Sequence, residues 1–512
     1  MSEPDPVNQP TGAGDSLLAL RNAVKLGGSL MLTWGIALAV RLMMPRYLGP
    51  DAFGAVNFAD AFTSTVFALT ALGVDTYIRK EVSVHPEHAS AFFPGVTLIR
   101  VLLALVLFGG MQAFLVLTHR PRETWLLVHL FGVSAFLFTL NLSFGALLHA
   151  KGTVNGLSLL NIASKLVWGV GTLLTVVLHW PLWGIAIAVV ASEALKTVVS
   201  VVLVNQNLGL RWSVNWSPVK VALVGSAPIF LNVAAHTIYN KLDVSILAVV
   251  AGDREVAWYG ASSLITGLAL MVTPMIGWVL MPLLARARAR SEAEYDTVMR
   301  RSLELVLAIA FPTSLAVCLG AEEWVVLLYG QAYAPAATSL KVLSSIFVLT
   351  YVAILSANAL ILTGRAWAQA FISISGLAVN PFLNWLFIER SMAAFGDGGA
   401  GIGAAGAQLG TEIVVTVMMT ALVGARAFDR RSMVMIAKTL AVVAAVAALD
   451  FGLKGRLPGP GLFRIVVDGV AYVVLILGFR AMHLQETIDF ARAAFARNRN
   501  QTQNLQETKE AV

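Results

Sequence analysis

The amino-acid sequence predicts an all-α integral membrane protein of about 14 transmembrane helices, built as two six-helix lobes followed by two further helices. Of its 512 residues, 57% are hydrophobic and 13% are charged, and the mean hydropathy is +0.76. A water-soluble domain of this length needs far more polar surface, so most of the chain uses lipid as its solvent. Hydrocarbon offers no partner to a backbone N–H or C=O, which restricts spanning structure to helices and closed barrels. The apolar runs are too long and too uniform for the alternating strands of a barrel, and helices follow.

Runs long enough to cross about 30 Å of hydrocarbon fall near residues 18–43, 53–76, 94–117, 124–147, 154–178 and 181–205, a first lobe over 16–205. A polar stretch at 206–220 reads as a linker. Further runs near 221–250, 256–284, 301–320, 337–363, 366–389 and 401–424 make a second lobe over 221–424, and two more near 432–451 and 461–481 occupy 425–482. Residues 1–15 form a polar, acidic tail without the basic start and small-residue cleavage site of a secretory signal, so it is expected to stay in the mature protein. Residues 483–512 are first amphipathic and basic, then polar, which suits a helix lying on the membrane surface followed by disorder.

Lys and Arg set orientation. With the N-terminus inside, the inward loops hold 14 of them and the outward loops 7, which places both termini in the cytoplasm. The net charge of +7 borders apolar runs and therefore reads as membrane topology, not as a nucleic-acid surface. A single cysteine, Cys318, excludes a disulfide within the chain and a Cys-rich metal site, and reads as packing.

The two lobes have the look of a repeat. After the first helix comes Leu48-Gly49-Pro50-Asp51-Ala52-Phe53-Gly54, and after the seventh comes Ala251-Gly252-Asp253-Arg254-Glu255-Val256-Ala257. Each is a short Gly and acid turn opening a long helix. Transporters built from parallel halves hold substrate between the halves, near the bilayer midplane.

These segments resemble the multidrug/oligosaccharidyl-lipid/polysaccharide exporter superfamily, and within it the Wzx-type polysaccharide biosynthesis flippases. The resemblance spans roughly residues 18–424. It rests on Leu48 to Gly54, on Leu72-Gly73-Val74 with Arg79-Lys80-Glu81, and on Leu327 to Ala336. It is carried further by Asn380-Pro381-Phe382-Leu383-Asn384 and by Gly401 to Ala407. It implies a V-shaped pair of six-helix lobes of the MATE type around a central cavity. The implied task is moving an undecaprenyl-pyrophosphate-linked oligosaccharide across the bacterial inner membrane for O-antigen, capsule or exopolysaccharide assembly. The last two helices favour the 14-helix branches over the 12-helix drug antiporters. Ala257 stands where the second-half motif more often has Gly, which implies tighter packing there.

Ionisable groups buried in a membrane helix cost on the order of 3 kcal/mol and need a partner or a wet cavity, so they are the natural candidates for a substrate passage. On the fifth helix Ser158, Asn161 and Lys165 share a face. Lys165 is too deep for easy snorkelling, and reads either as a cavity cation or as the partner of Glu193. Arg21 and Lys25 open the first helix at i and i+4, suited to capturing a diphosphate or to anchoring in anionic lipid. Arg100 has the same ambiguity, whereas Arg41 reads as interfacial. On the seventh helix Asn232, His236, Asn240 and Asp243 form a polar stripe, with Lys241 off that face. Asn57, Asp60 and Ser64 make a similar face on the second helix. Glu412, one turn after Gln408, and Asp60 are candidates for carrying a coupling proton. Glu193 and Lys196 read as a local pair, and Pro228, Pro274, Pro282, Pro312 and Pro381 as kinks.

No Gly-rich phosphate loop, nucleophile elbow or metal-spaced His or Cys cluster is evident, so no catalytic residue, cofactor or metal is expected. Energy would come from an ion gradient, the membrane potential, or removal of product by a downstream polysaccharide polymerase. The expected partners are the lipid-linked oligosaccharide and membrane lipid, without nucleic acid. A lipid II flippase and a drug/cation antiporter are the nearest alternatives. An integral-membrane glycosyltransferase or polymerase is the alternative of another class, and the short outward loops leave it little room for a catalytic domain.

Overall fold

The computed structural model describes residues 12–151, 154–271, 273–424, 428–454 and 461–481. Among them there are α-helices and short 3-10 turns and no strand, as the hydrocarbon solvent requires. Among the described residues eleven helices are long and apolar enough to cross a membrane, and the protein is a multi-pass membrane protein. The expected first and second helices run together as α1 (Gly12–Phe67), broken at Gly49, whose φ of 73° and ψ of 169° are not helical. A 3-10 turn (Ala68–Ala71), α2 (Val74–Val84), α3 (Ala89–Leu117), α4 (Arg122–Ala150), α5 (Val154–Val177) and α6 (Trp183–Leu208) complete the first half.

The second half starts with α7 (Trp216–Val250) and α8 (Asp253–Leu270), separated by Gly252 at φ 85° and ψ 177°. Then follow α9 (Thr273–Arg290), α10 (Glu292–Leu319), α11 (Ala321–Tyr329), α12 (Ala336–Ser344), α13 (Ile346–Leu362), α14 (Ala366–Phe395) and α15 (Gly399–Val423). The helix expected over 256–284 thus falls into α8, ending at Leu270, and α9, and the one over 337–363 is a short helix leading into a longer one. Finally α16 (Arg430–Leu453) and α17 (Gly461–Gly478) pack against α10. The amphipathic tail expected after 482, and most of the N-terminal tail, lie outside the described residues.

Small residues set the closest helix approaches, as expected where apolar side chains gain nothing by leaving lipid. A β-carbon on Gly399 or Gly403 would overlap the α14 backbone at Ser391 and Ile388, which accounts for the glycine and alanine run that opens α15. The first turn of α15 is also held by Glu255 of α8, whose carboxylate accepts from the N–H groups of Gly398 at 2.6 Å and Gly401 at 3.1 Å. An anion at a helix N-terminus is stabilised by the orphan N–H groups there.

The two halves meet tightly at the end of the bundle that carries Gly49 and Gly252. Gly54 lies so close to Asp253 that a β-carbon would overlap its carbonyl oxygen, and Gly260 makes the same room for Asn57. Arg120, after α3, pairs with Asp253 at 3.0 Å, donates to the Ala248 carbonyl and stacks its guanidinium over Phe58. Tyr333 donates to the Pro45 carbonyl at 2.9 Å. A single apolar cluster runs through this end, from Phe58, Leu115 and Phe131 of the first half to Leu247, Tyr259 and Leu343 of the second. Farther from it, α7 joins the halves by packing on α2 and α3, where Gly73 lies against Phe230 and Gly95 against Val219.

Candidate functional site

Asp60 of α1 and Lys241 of α7 form an ion pair at 3.1 Å that ties the first half to the second. Asp60 is eleven residues past the break at Gly49 and Lys241 eleven before Gly252, so both sit about 16 Å from the tight end, near mid-membrane. Their side chains are nevertheless 45% and 40% exposed. A charge at that depth needs a partner or water, so this half-exposed pair marks the candidate for a polar passage between the halves. Lys241, set aside on helical spacing because it is off the Asn232 to Asp243 face, is thereby brought together with the candidate residue Asp60. A charged partner on another helix carries no signal in the periodicity of α7 itself.

Further charges gather on the same space. Asp60 interacts electrostatically with Arg41 as well as Lys241. Lys165, whose ammonium lies 5.0 Å from the Trp168 ring centroid, interacts with Glu193, Arg41 and Lys196. Four basic side chains from α1, α5, α6 and α7 thus accompany two carboxylates. Arg41, read as interfacial, is exposed and interacts with both Asp60 and Lys165. Asn161 is half-buried on α5. Glu193 is buried and accepts from Asn141 at 2.8 Å, so it is not a simple local partner of Lys196.

Arg100 lies elsewhere. It is fully buried inside the first half, where it donates to the carbonyls of Thr70 and Ala71 at 2.9 and 2.7 Å and to Ser143 at 2.6 Å. Ser143 in turn donates to Asp75. The chain breaks between α1 and α2, with Leu72 and Gly73 both at positive φ, and a broken helix in a membrane leaves carbonyls without partners. Arg100 supplies those donors and does not line the passage. Asn57 is likewise taken up at the contact with α8, donating to the Val256 carbonyl at 3.4 Å. The side chains of Arg21 and Lys25 lie outside the described residues.

The α7 stripe divides in two. His236 and Asn240 are exposed and hydrogen-bond each other, and Asn240 accepts from Gln408 at 2.6 Å. Asn232 accepts from Ser373 at 2.6 Å. Asp243, by contrast, is fully buried, which removes it from the wall of the passage. Its carboxylate accepts from Asn384 at 2.7 Å, Asn380 at 2.8 Å and Tyr259 at 2.9 Å. Beside it the Oδ1 of Asn384 is buried and makes no hydrogen bond among the described residues. A buried anion with an unused amide oxygen is the donor set that suits a proton or a small hard cation. The Asn380-Pro381-Phe382-Leu383-Asn384 motif is explained by this hub, since it places two amides one turn apart on α14 facing Asp243. Glu412 of α15 is also buried and accepts from Thr350 at 3.0 Å.

A family model described as polysaccharide biosynthesis protein matches residues 43–338, more than half of the chain. The chain belongs to the polysaccharide biosynthesis protein family. No curated protein matches it in a sequence search. Among solved structures it is similar to the lipid II flippase MurJ in an inward closed conformation, with a TM-score of 0.66 at 13% identity over 89% of this chain and 98% of that one. It is similar to an inward-facing multidrug resistance MATE family transporter of the MOP superfamily, with a TM-score of 0.63 at 17% identity over 79% and 98%. A mutant of the Vibrio cholerae MATE transporter VcmN gives 0.54 at 17% identity over 78% and 98%. At these identities the likeness is one of fold, and it supports the all-α, MATE-like architecture. The family match runs from the end of the first segment of α1 to α12, so it includes both glycine breaks and the Asp60 and Lys241 pair.

Proposed function

We propose that this member of the family is a flippase that carries an undecaprenyl-pyrophosphate-linked oligosaccharide across the bacterial inner membrane by alternating access. The carrying observation is the excess of basic groups that interact with one another around the Asp60 and Lys241 pair: Arg41, Lys165, Lys196 and Lys241 against Asp60 and the buried Glu193. A diphosphate brings two or more negative charges that must leave the headgroup region and pass mid-membrane. Cations at that depth offset the loss of hydration as the anion moves. The exposed His236 and Asn240 of α7, the latter held by the buried Gln408, offer hydrogen bonds to sugar hydroxyls. A drug/cation antiporter would need the opposite sign of charge here.

With both termini cytoplasmic, the tight Gly49 and Gly252 end faces the periplasm, so the arrangement is closed outward. Asp243 with Asn380, Asn384 and Tyr259, together with Glu412, forms the coupling region, where a proton or cation changes the charge of α7.

The test is in-cell labelling of the lipid-linked repeat unit in a strain lacking this protein. The reading requires the labelled unit to accumulate in the cytoplasmic leaflet and polymer to be lost, with restoration by wild type and not by K165A/K241A. Normal arrival of the unit in the periplasmic leaflet without the protein or a second flippase would overturn it, as would sugar transfer catalysed by the purified chain.

A further inference from the structure

Away from the passage, the turn between α2 and α3 gathers His85, Glu87 and His88, each with one ligand atom within 4.8 Å of the others. We propose that this turn is a binding site for a divalent transition metal of the zinc type. Three observations combine. The side chains belong to four consecutive residues, His85-Pro86-Glu87-His88, held in a 3-10 turn in which the His88 N–H bonds the His85 carbonyl at 3.1 Å and the His85 N–H bonds Glu81 at 2.8 Å. Proline at the first position pins the backbone, so little chain entropy is lost on binding. The two imidazoles stack with centroids 4.8 Å apart and planes inclined by 28°, which keeps both rings side by side on one face of the turn.

The third observation concerns the tautomer. Glu81, from the last turns of α2, lies 2.8 Å from Nδ1 of His88. A carboxylate on one ring nitrogen holds the proton there and leaves the other lone pair free, raising its basicity as a ligand. His85, Glu87 and His88 then supply one ligand atom each, and water completes a tetrahedron, the pattern of an open site. Two carboxylates beside two neutral imidazoles balance a divalent charge. All four residues are exposed or half-buried, so the site fills without opening the fold. The mixed nitrogen and carboxylate set favours zinc-type ions over magnesium and calcium, which prefer all-oxygen shells. The spacing matches none of the common metal motifs, which is why the sequence alone raised no metal expectation. Bound metal would clamp the end of α2 to the start of α3 beside the N-terminal half of α7, the flank on which the two halves meet away from the tight end.

The experiment uses full-length protein purified in detergent without a histidine tag and stripped by chelator. Zn2+ uptake is read by competition with a chromogenic chelator of micromolar affinity, for wild type, H85A/H88A and E81Q. Wild type is expected to take up one more Zn2+ per chain than H85A/H88A, and E81Q to keep the stoichiometry with affinity weakened about 10- to 100-fold. Substituting Co2+ should give the intense visible bands of a tetrahedral ion in wild type and not in H85A/H88A. Matching elution profiles and melting temperatures of the metal-free proteins show that folding is unaffected. Equal uptake by wild type and H85A/H88A, or no uptake by wild type against the chelator, overturns the proposal.

Discussion

Asp51 and Arg254 stand at equivalent places in the two halves of the chain and pair with each other. Their side chains form two hydrogen bonds of 3.2 and 3.1 Å across a separation of 203 residues. The same separation relates Gly49 to Gly252, the two breaks with matching φ and ψ, and Asn57 to Gly260, which accommodates it. The repeat therefore packs on itself around an axis at the tight end. A residue and its counterpart are neighbours there, which makes this end the natural fulcrum between the two halves.

Reversing one charge at this axis should loosen it. In D51R two guanidinium groups face each other, and the swap D51R/R254D restores attraction. Spin labels at Y47C and V250C, on a C318S background, should show a new longer-distance population in D51R that shrinks in the double swap. An unchanged distance distribution in D51R would mean that the pair does not hold the end closed.

Glycine at position 54 is a packing requirement, because the obstacle to a side chain is the Asp253 backbone and not a movable side chain. G54V should cost about 1–3 kcal/mol through overpacking and lower the melting temperature in detergent. G109A is the control: nothing lies within 4 Å of a β-carbon there, and removing a helix-interior glycine should be neutral or stabilise by about 0.5–1 kcal/mol. Equal effects from both would remove the argument from close approach.

Arg100 and Lys241 should separate by phenotype. R100A orphans two carbonyls inside the first half, at roughly 1–3 kcal/mol for each buried group left unsatisfied. It is expected to reduce folded yield and melting temperature. K241A removes a half-exposed charge, and should melt within a few degrees of wild type while polymer output in cells falls. If K241A lost its fold and R100A retained full stability, the assignment of the two cations would be reversed.

These contrasts also mark what the sequence could reveal. Composition and run length made the helical membrane class legible, since lipid leaves the backbone few choices. The Gly49 and Gly252 turns were legible as repeat signals because glycine alone suits their positive φ. Arg100 and Asp243 were correctly singled out as buried polar groups, but a helix wheel cannot tell a sealed interior from a wet one. Arg100 answers to a helix break three elements of sequence away from its own turn, and Asp243 to amides on α14. Lys241 gives no signal on the helix wheel for the converse reason, since its partner Asp60 is on another helix.

Asp243 should be the most sensitive polar residue of the second half. D243A leaves the Asn380, Asn384 and Tyr259 donors facing one another in a dry site, and is expected to destabilise by about 2–5 kcal/mol. D243N retains volume with no charge and should fold better than D243A, while failing to restore polymer. Melting temperatures for the two variants check the first statement and complementation the second. A D243N protein with full activity would exclude a charge change at this position from the transport cycle.

The last prediction concerns pH at the tight end. Glu322, at the start of α11, pairs with Lys341 at 2.6 Å and with Lys454 at 3.1 Å, joining α11 to α12 and to the end of α16. Its hydrogen bond from Lys341 is the main cause of a carboxyl pKa below the ordinary value, aided by Lys454 against a smaller opposing effect of burial. A carboxyl whose folded pKa is depressed stabilises the fold above its unfolded pKa, and that contribution fades as pH falls through the folded value. Because the pair is about half exposed, the effect should be small and salt-sensitive. E322Q should therefore melt below wild type at neutral pH, and the gap should close as the pH is lowered past the acidic limb of the carboxyl. High salt should narrow it at neutral pH. A gap that stays constant down to acid pH would show that Glu322 acts through shape alone and not through its charge.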